Sequence, residues 1–140
     1  MTIAAMILAA ALGTASAQAE EASLTVTVEG LETPQGAVMM GLYASADAWN
    51  GSGEPVAGRT IAVEGAAITA EFGPLPAGEY AIRLYHDGDG DGELDTNLMG
   101  VPSEPYAFSN NARGRFGPAV WEDAVFTLVP GENSHALNLR

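Results

Sequence analysis

Apolar and polar residues alternate with a period of two in segment after segment of this chain beyond residue 20. In SLTVTVEGL, residues 23–31, Leu24, Val26 and Val28 share one face, and threonine and glutamate residues share the other. A period of two is that of a β-strand with one buried face, because successive side chains of a strand point to opposite sides of the sheet. No segment of this part longer than a turn or two carries a helical period. The pattern therefore predicts strands.

About seven short strands are predicted in this way, separated by glycine, proline and aspartate residues. Those after the first are AVMMGLYA (37–44), two strands around Gly65 in TIAVEGAAITAEF (60–72), EYAIRLYH (79–86), DAVFTLV (123–129) and HALNLR (135–140). The segment Pro130–Asn133 predicts a hairpin turn between the last two strands. A single sheet would leave one apolar face exposed, whereas two sheets packed face to face bury both. The predicted fold is all-β, an antiparallel β-sandwich.

The first residues, MTIAAMILAAALGTASAQAE, have the pattern of a secretory leader. An apolar run from Ile3 to Leu12 is followed by small residues, with cleavage sites after Ala17 or Ala19. The run is too short to span a bilayer, which takes about 20 residues. The alternative is a buried N-terminal helix or strand. We expect a signal peptide over residues 1–19 and a single β-sandwich domain over residues 20–140, with no transmembrane segment in the mature chain.

The charge and the cysteine content restrict the location and the partners. The chain has no cysteine and a formal net charge of -13. Export without disulfides is typical of bacteria, so we expect a periplasmic or secreted protein. The charge argues against nucleic acid or anionic lipid as a partner, because both need clustered lysine and arginine. An envelope protein and a carbohydrate both remain open as partners.

Two long connections interrupt the strand pattern. The first, residues 47–59, is rich in glycine, serine and proline, and the second extends from Asp87 to about Glu122. The second is far longer than the usual loop of about 4–6 residues. It carries four aromatic residues that need burial, namely Tyr106, Phe108, Phe116 and Trp121. We therefore expect this segment to be ordered and to pack over one end of the sandwich.

The segment HDGDGDGELDTN, residues 86–97, matches the spacing of a calcium loop. Such loops place oxygen ligands at positions 1, 3, 5, 7 and 9, with glycine at position 6 for the sharp turn and a backbone carbonyl at position 7. Counting from Asp87 puts Gly92 at position 6. The sequence thus predicts a Ca²⁺ ion bound by five residues: Asp87, Asp89, Asp91, Glu93 through its carbonyl, and Asp95.

The loop departs from the pattern at position 12, where a bidentate glutamate is expected and Leu98 stands. Asn97 lies one residue early, and Asn110, Glu122 or Asp123 are candidates to complete the coordination. Two carboxylates about 6 Å apart repel by roughly 1–3 kcal/mol, so four in one loop need a cation, an arginine or full solvation. A solvated turn and a metal-free ion-paired loop are therefore the alternatives to calcium.

The segment SNNARGRFGP, residues 109–118, allows two interpretations. In one, Arg113 and Arg115 form a cradle for a carboxylate or sulfate ligand beside aromatic residues, or pair with the aspartates of the acidic loop. In the other, Asn110, Asn111 and both arginines hydrogen-bond the backbone of a long loop that lacks ladder partners. The second interpretation is favoured.

No catalytic residue is identified in the sequence. His86, at a strand end, is interpreted as a hydrogen-bonded structural residue, and Trp49 and Trp121 as packing residues rather than a carbohydrate platform. The leading hypothesis is an exported binding or structural module with a calcium-stabilised loop. The alternatives are a metal-free interaction module and an envelope carbohydrate-active hydrolase, which would need two carboxylates about 5–10 Å apart near the long loop.

Three stretches together resemble a known family. GPLPAGEYAIRLYH (73–86), the acidic loop and SNNARGRFGP occur in this order in the bacterial exported proteins grouped as domain of unknown function 2141, and the resemblance extends from Leu24 to Leu139. The LPAGEY segment is also similar to the start of a strand in prealbumin-like and collagen-adhesin B-type sandwiches. The resemblance implies export and an immunoglobulin-like or prealbumin-like sandwich, and it implies no particular activity.

Overall fold

The computed structural model describes residues 21–32, 34–88, 105–114 and 117–139. Within these ranges the chain forms eight strands: β1 (Glu21–Glu29), β2 (Ala37–Tyr43), β3 (Ala57–Ala62), β4 (Ala67–Pro76), β5 (Gly78–Asp87), β6 (Tyr106–Phe108), β7 (Phe126–Leu128) and β8 (Gly131–Asn138). Three short helical elements accompany them: a π-helical turn (Ala48–Ser52), a 3₁₀ turn (Ser109–Asn111) and helix α1 (Trp121–Ala124).

The strands form two sheets. The three-stranded sheet has the order β4-β1-β8, and the five-stranded sheet has the order β3-β2-β5-β6, with β7 also paired to β5. Every pair is antiparallel except β1 with β8, which run parallel in register from Ala22 opposite Gly131 to Glu29 opposite Asn138. The predicted all-β sandwich is confirmed, with β6 as an additional strand.

The core lies between the two sheets and is built from the alternating apolar residues. The inward faces of β1, β2, β4 and β5 supply most of it, including Leu24, Val26, Val28, Val38, Met40, Leu42, Ile68, Ala70, Phe72, Tyr80, Ile82 and Leu84. Full burial of one aliphatic or aromatic side chain contributes about 1.5–3 kcal/mol. Because burial stabilises the apolar side chains, the period of two in the sequence determines which side of each strand faces the core.

The predicted hairpin at Pro130–Asn133 is wrong, because β7 and β8 lie in different sheets. The turn instead carries the chain across the sandwich, and β8 begins at Gly131 with a φ of 99°. Asn133 closes this turn with its side chain: Oδ1 accepts a hydrogen bond from the Val129 N–H at 3.0 Å, and Nδ2 donates to the Val129 carbonyl at 2.9 Å. The amide thus supplies the backbone partners that a hairpin would have provided.

The long segment after Asp87 is described from residue 105 onward, except for residues 115 and 116, and this part lies along the five-stranded sheet. It adds β6 to the five-stranded sheet, with Phe108 opposite Arg83 on β5. Residues 117–124 then pack on the outer face of that sheet, where Ala119 and Ala124 join a second buried cluster with Ala81 and Trp49. The described part of the segment therefore covers a face of the sandwich, and residues 89–104, 115 and 116 lie outside the described ranges.

Candidate functional site

The acidic loop leaves the sheet at the end of β5, where His86 and Asp87 are buried, at 4% and 3% exposure. The Nε2 atom of His86 lies 2.7 Å from the carbonyl oxygen of Gln35. A carbonyl only accepts, so Nε2 carries the proton, and the interpretation of His86 as a structural residue is confirmed. The His86 backbone N–H donates to the Pro105 carbonyl at 2.9 Å. At Pro105 the chain therefore returns to the sheet beside His86, close to the end of β5 where the acidic loop begins.

The first residue of the predicted calcium loop is held from the neighbouring strand. Asp87 pairs with Ala37 at the start of β2. Gly36, at a φ of 70°, lies so close to the Asp87 carbonyl oxygen that a Cβ atom would not fit between them. A side chain at this position would also be strained by the positive φ, so the approach requires glycine. The position of Asp87 is thus fixed by the sandwich.

The other four predicted ligands, Asp89, Asp91, Glu93 and Asp95, lie outside the described residues, as does Arg115. Among the residues that are described, no three histidine, cysteine, aspartate or glutamate side chains are grouped so that they could hold a metal ion.

The SNN triplet at the end of β6 binds three separate parts of the backbone, beginning with Ser109. Ser109 is fully buried, and its Oγ accepts a hydrogen bond from the Ile82 N–H at 2.9 Å and donates to the Ala124 carbonyl at 2.6 Å. The ladder between β5 and β6 ends at Phe108. The serine hydroxyl therefore supplies the next rung of the sheet and joins it to α1.

Asn110 and Asn111 extend these contacts. The Nδ2 group of Asn110 donates to the carbonyls of Asp123 and Val125 at 3.1 and 2.8 Å, and Oδ1 of Asn111 accepts from the Asn138 N–H at 3.0 Å. Both residues have positive φ, 61° and 52°, which asparagine adopts more readily than most residues. Both asparagines thus bind backbone groups, as the favoured interpretation of SNNARGRFGP predicts.

His135 completes the contacts of this triplet from β8. Its Nε2 accepts a hydrogen bond from the Asn110 N–H at 3.1 Å, and its ring stacks on Phe126 with centroids 4.3 Å apart. An imidazole accepts a hydrogen bond only in its neutral form, with the proton on Nδ1. Burial lowers the pKa of His135 below its ordinary value of 6.5, which favours the same neutral form.

The free energy of unfolding is therefore expected to fall as the pH is lowered through about 6.5. The unfolded chain binds a proton at a higher pH than the folded chain does, so protonation favours unfolding until the folded pKa is passed. Urea denaturation of the parent and of His135→Gln, between about pH 8 and pH 5, measures this contribution as the difference between the two proteins. A difference that does not change with pH would contradict the assigned tautomer.

A group of aromatic residues, the outer aromatic cluster, covers the five-stranded sheet on the side away from the core. It consists of Tyr43, Trp49, Phe108 and Trp121, with Trp49 at 2% exposure in its centre. The Trp49 ring meets the other three edge to face, with centroids 5.5–6.3 Å apart. Its Nε1 donates to the Ala119 carbonyl at 2.8 Å. Trp49 is a packing residue, as predicted, and not an exposed platform.

Arg83 lies within the outer aromatic cluster. Its Cζ is 4.1 Å from the centre of the Trp49 ring and 5.0 Å from that of Tyr43, and Nη2 donates to the Trp49 carbonyl at 2.8 Å. Its Nε is buried and has no hydrogen-bond partner among the described residues. Burial lowers the pKa of Arg83, and Tyr43 opposes this shift. Guanidinium stays charged in proteins, so the residue is a cation held by ring faces and one carbonyl.

A cleft of about 150 Å³ opens beside the SNN triplet. Its lining is formed by residues of β6, the turn that follows it and the end of β8: Tyr106, Ala107, Phe108, Asn111, Ala112, Arg113, Gly114 and Asn138. The Arg113 side chain is exposed and makes no hydrogen bond or ion pair with any residue in the described ranges. For Arg113 the favoured interpretation of SNNARGRFGP is therefore wrong, because this arginine lies at a cleft and does not hydrogen-bond the described backbone.

These motifs lie within a segment that defines a family. A family model described as "Uncharacterized protein conserved in bacteria (DUF2141)" matches residues 26–136. The chain belongs to the DUF2141 family. The match extends from β1 into β8 and includes the acidic loop and the SNN triplet, so the family predicted from three short stretches is confirmed. Neither the curated proteins nor the solved structures gave a match.

Two features of this DUF2141 chain were missed in the sequence. The role of Arg83 within the outer aromatic cluster was not predicted, because no sequence signal shows that the turn at Ala48–Ser52 folds back over it. The strand β6 was missed because only three residues form it, directly after Pro105. Within the described ranges, no helix has the length and apolar character needed to cross a membrane.

Proposed function

We propose that this DUF2141 protein is an exported bacterial binding or structural module, periplasmic or secreted, whose acidic loop, Asp87–Asp95, holds one Ca²⁺ ion. The observation that carries the proposal is the spacing of oxygen ligands at alternate positions, with glycine at position 6. The leader-like residues 1–19 support export, and the absence of cysteine favours a bacterial over a eukaryotic route.

The described residues support the calcium part of the proposal through the way the loop is anchored. Asp87 is fixed by its pairing with Ala37 and by the close approach of Gly36. Further along the chain, the Pro105 carbonyl accepts a hydrogen bond from the His86 N–H. The fold therefore restrains the start of the loop and the point at which the chain returns to the sheet, so the segment between them is closed before a metal ion binds.

The affinity for calcium is expected to be modest, because position 12 lacks its bidentate carboxylate. Extracellular calcium modules bind with a Kd of about 10⁻⁴–10⁻³ M. At a concentration tenfold above Kd, binding stabilises the fold by about 1.4 kcal/mol. Stabilisation of this size suits an ion that secures a long loop, and not a switch that reports calcium concentration.

Calcium is expected to raise the Tm of the mature chain by about 4–8 °C at about 10 mM, relative to the protein in chelator. The double variant Asp89→Asn/Asp91→Asn should abolish this shift, because it removes two ligand charges from the loop. A matched control, Asp47→Asn, removes a carboxylate from the π-helical turn region and should keep the shift. An unchanged Tm in calcium, or an equal shift in the double variant, would count against the site.

The same melts separate the metal-free alternative, in which Arg113 or Arg115 pairs with the aspartates. That arrangement predicts no effect of calcium and a lower Tm for Arg113→Gln/Arg115→Gln in chelator. The calcium-bound arrangement predicts a raised Tm in calcium and an unchanged Tm for the arginine variant in chelator. The two interpretations therefore differ in which of the two changes, calcium or the arginine substitutions, shifts the Tm.

A further inference from the structure

The cleft beside the SNN triplet offers hydrogen-bond donors that the fold does not use. Oδ1 of Asn111 accepts from the Asn138 backbone N–H, and a backbone N–H only donates, so the orientation of this side-chain amide is fixed. Its NH₂ group has no acceptor among the described residues. Arg113 adds five N–H donors, likewise without a described partner.

The described lining of the cleft carries a positive charge and no negative one. The formal net charge of the chain is -13, yet none of the eight described lining residues is aspartate or glutamate. The Arg113 guanidinium would repel a cation in this cleft, whereas an anion would meet this guanidinium and an amide NH₂ group. The chemistry of the lining therefore selects a negatively charged acceptor.

The remaining wall of the cleft is aromatic. Tyr106 is 36% exposed, and its ring meets that of Phe108 edge to face with centroids 5.7 Å apart. This contact holds one side of the Tyr106 ring and leaves the side chain accessible to a ligand. A cavity of about 150 Å³ is sufficient for one six-membered ring. The site therefore accommodates a flat or short apolar group that carries an anionic head.

We propose that this cleft binds a small carboxylate joined to a ring or short apolar chain. The Arg113 guanidinium pairs with the carboxylate in two parallel hydrogen bonds, the Asn111 NH₂ group donates a third, and the apolar part lies against Tyr106. The proposal needs no calcium, so it stands or falls separately from the function proposed for the acidic loop.

The test is a titration of the mature chain with benzoate, followed in two-dimensional amide NMR spectra recorded in chelator. Saturable shifts are expected at the Asn111 side-chain amide and at the backbone of residues 106–114. Benzamide, the neutral isostere, and the variant Arg113→Gln with benzoate should each bind at least about tenfold more weakly. The matched control Arg59→Gln removes one positive charge from β3 and should leave benzoate binding unchanged.

Three results would overturn the proposal: shifts that never saturate, equal affinity for benzamide, and Arg113→Gln binding as tightly as the parent. Arg113 is exposed, so the variant is expected to fold, and its own spectrum shows whether it does. Galacturonate and acetyl-phenylalanine, titrated in the same way, distinguish a sugar acid from a peptide C-terminus as the source of the carboxylate. Loss of either signal in Arg113→Gln supports the site, and persistence of both contradicts it.

Discussion

Replacing Trp49 by alanine is expected to lower the free energy of unfolding by about 3–5 kcal/mol, the usual range for truncation of a buried aromatic side chain. The indole is 2% exposed and lies at the centre of the outer aromatic cluster. Its loss would leave the Ala119 carbonyl without its donor and the Arg83 guanidinium without its nearest ring face. Urea denaturation followed by far-ultraviolet circular dichroism measures the change.

Two further variants separate the contributions of Trp49. Trp49→Phe keeps a ring but removes the N–H donor, and it should cost about 1–3 kcal/mol by leaving a buried carbonyl unsatisfied. Val56→Ala is the control for truncation at the surface, because Val56 is 54% exposed, and it should change stability by less than about 0.5 kcal/mol. A loss below about 1 kcal/mol in Trp49→Ala would show that the outer aromatic cluster does not hold residues 117–124 against the sheet.

Replacing Ser109 by alanine is expected to cost about 2–4 kcal/mol, a large effect for the loss of one oxygen atom. The hydroxyl satisfies two buried backbone groups, the Ile82 N–H and the Ala124 carbonyl. Each buried group left without a partner costs about 1–3 kcal/mol. Alanine is smaller than serine and fits the space, so the loss measured by urea denaturation reports the hydrogen bonds and not a steric clash.

Ser134→Ala is the matched control for this substitution. Ser134 lies on β8, is exposed, and its side chain has no described hydrogen bond, so its loss should change stability by less than about 0.5 kcal/mol. Hydrogen exchange in Ser109→Ala should also be faster at residues 82 and 121–125 than in the parent. Equal stability of the two variants would mean that water replaces the serine hydroxyl and that the triplet does not join α1 to the sheet.

The strands and the buried faces could be predicted from the sequence because both follow from a local period of two. Leu24, Val26 and Val28 are buried because alternate residues of β1 face the second sheet, and this is visible within nine residues. The parallel pairing of β1 with β8 is not local. It joins Ala22 to Gly131, and no pattern in either strand specifies the other. Pairings of this kind depend on how the two sheets pack.

In the SNN triplet, too, one part could be predicted from local sequence and another part depends on the fold. Serine and asparagine after a short aromatic segment indicate side chains that bind backbone, since these residues have short polar groups and tolerate positive φ. Their partners at Ile82, Val125 and Asn138 come from three different elements of the fold. The kind of contact was therefore predictable, whereas the elements that the triplet joins were not.

Binding of a Ca²⁺ ion by the acidic loop is tested most directly by anomalous scattering from crystals of the mature chain grown in saturating calcium. The proposal predicts one peak about 2.3–2.6 Å from oxygen atoms of Asp87, Asp89, Asp91, Glu93 and Asp95. A loop with no peak, its carboxylates directed into solvent or paired with an arginine, would contradict it.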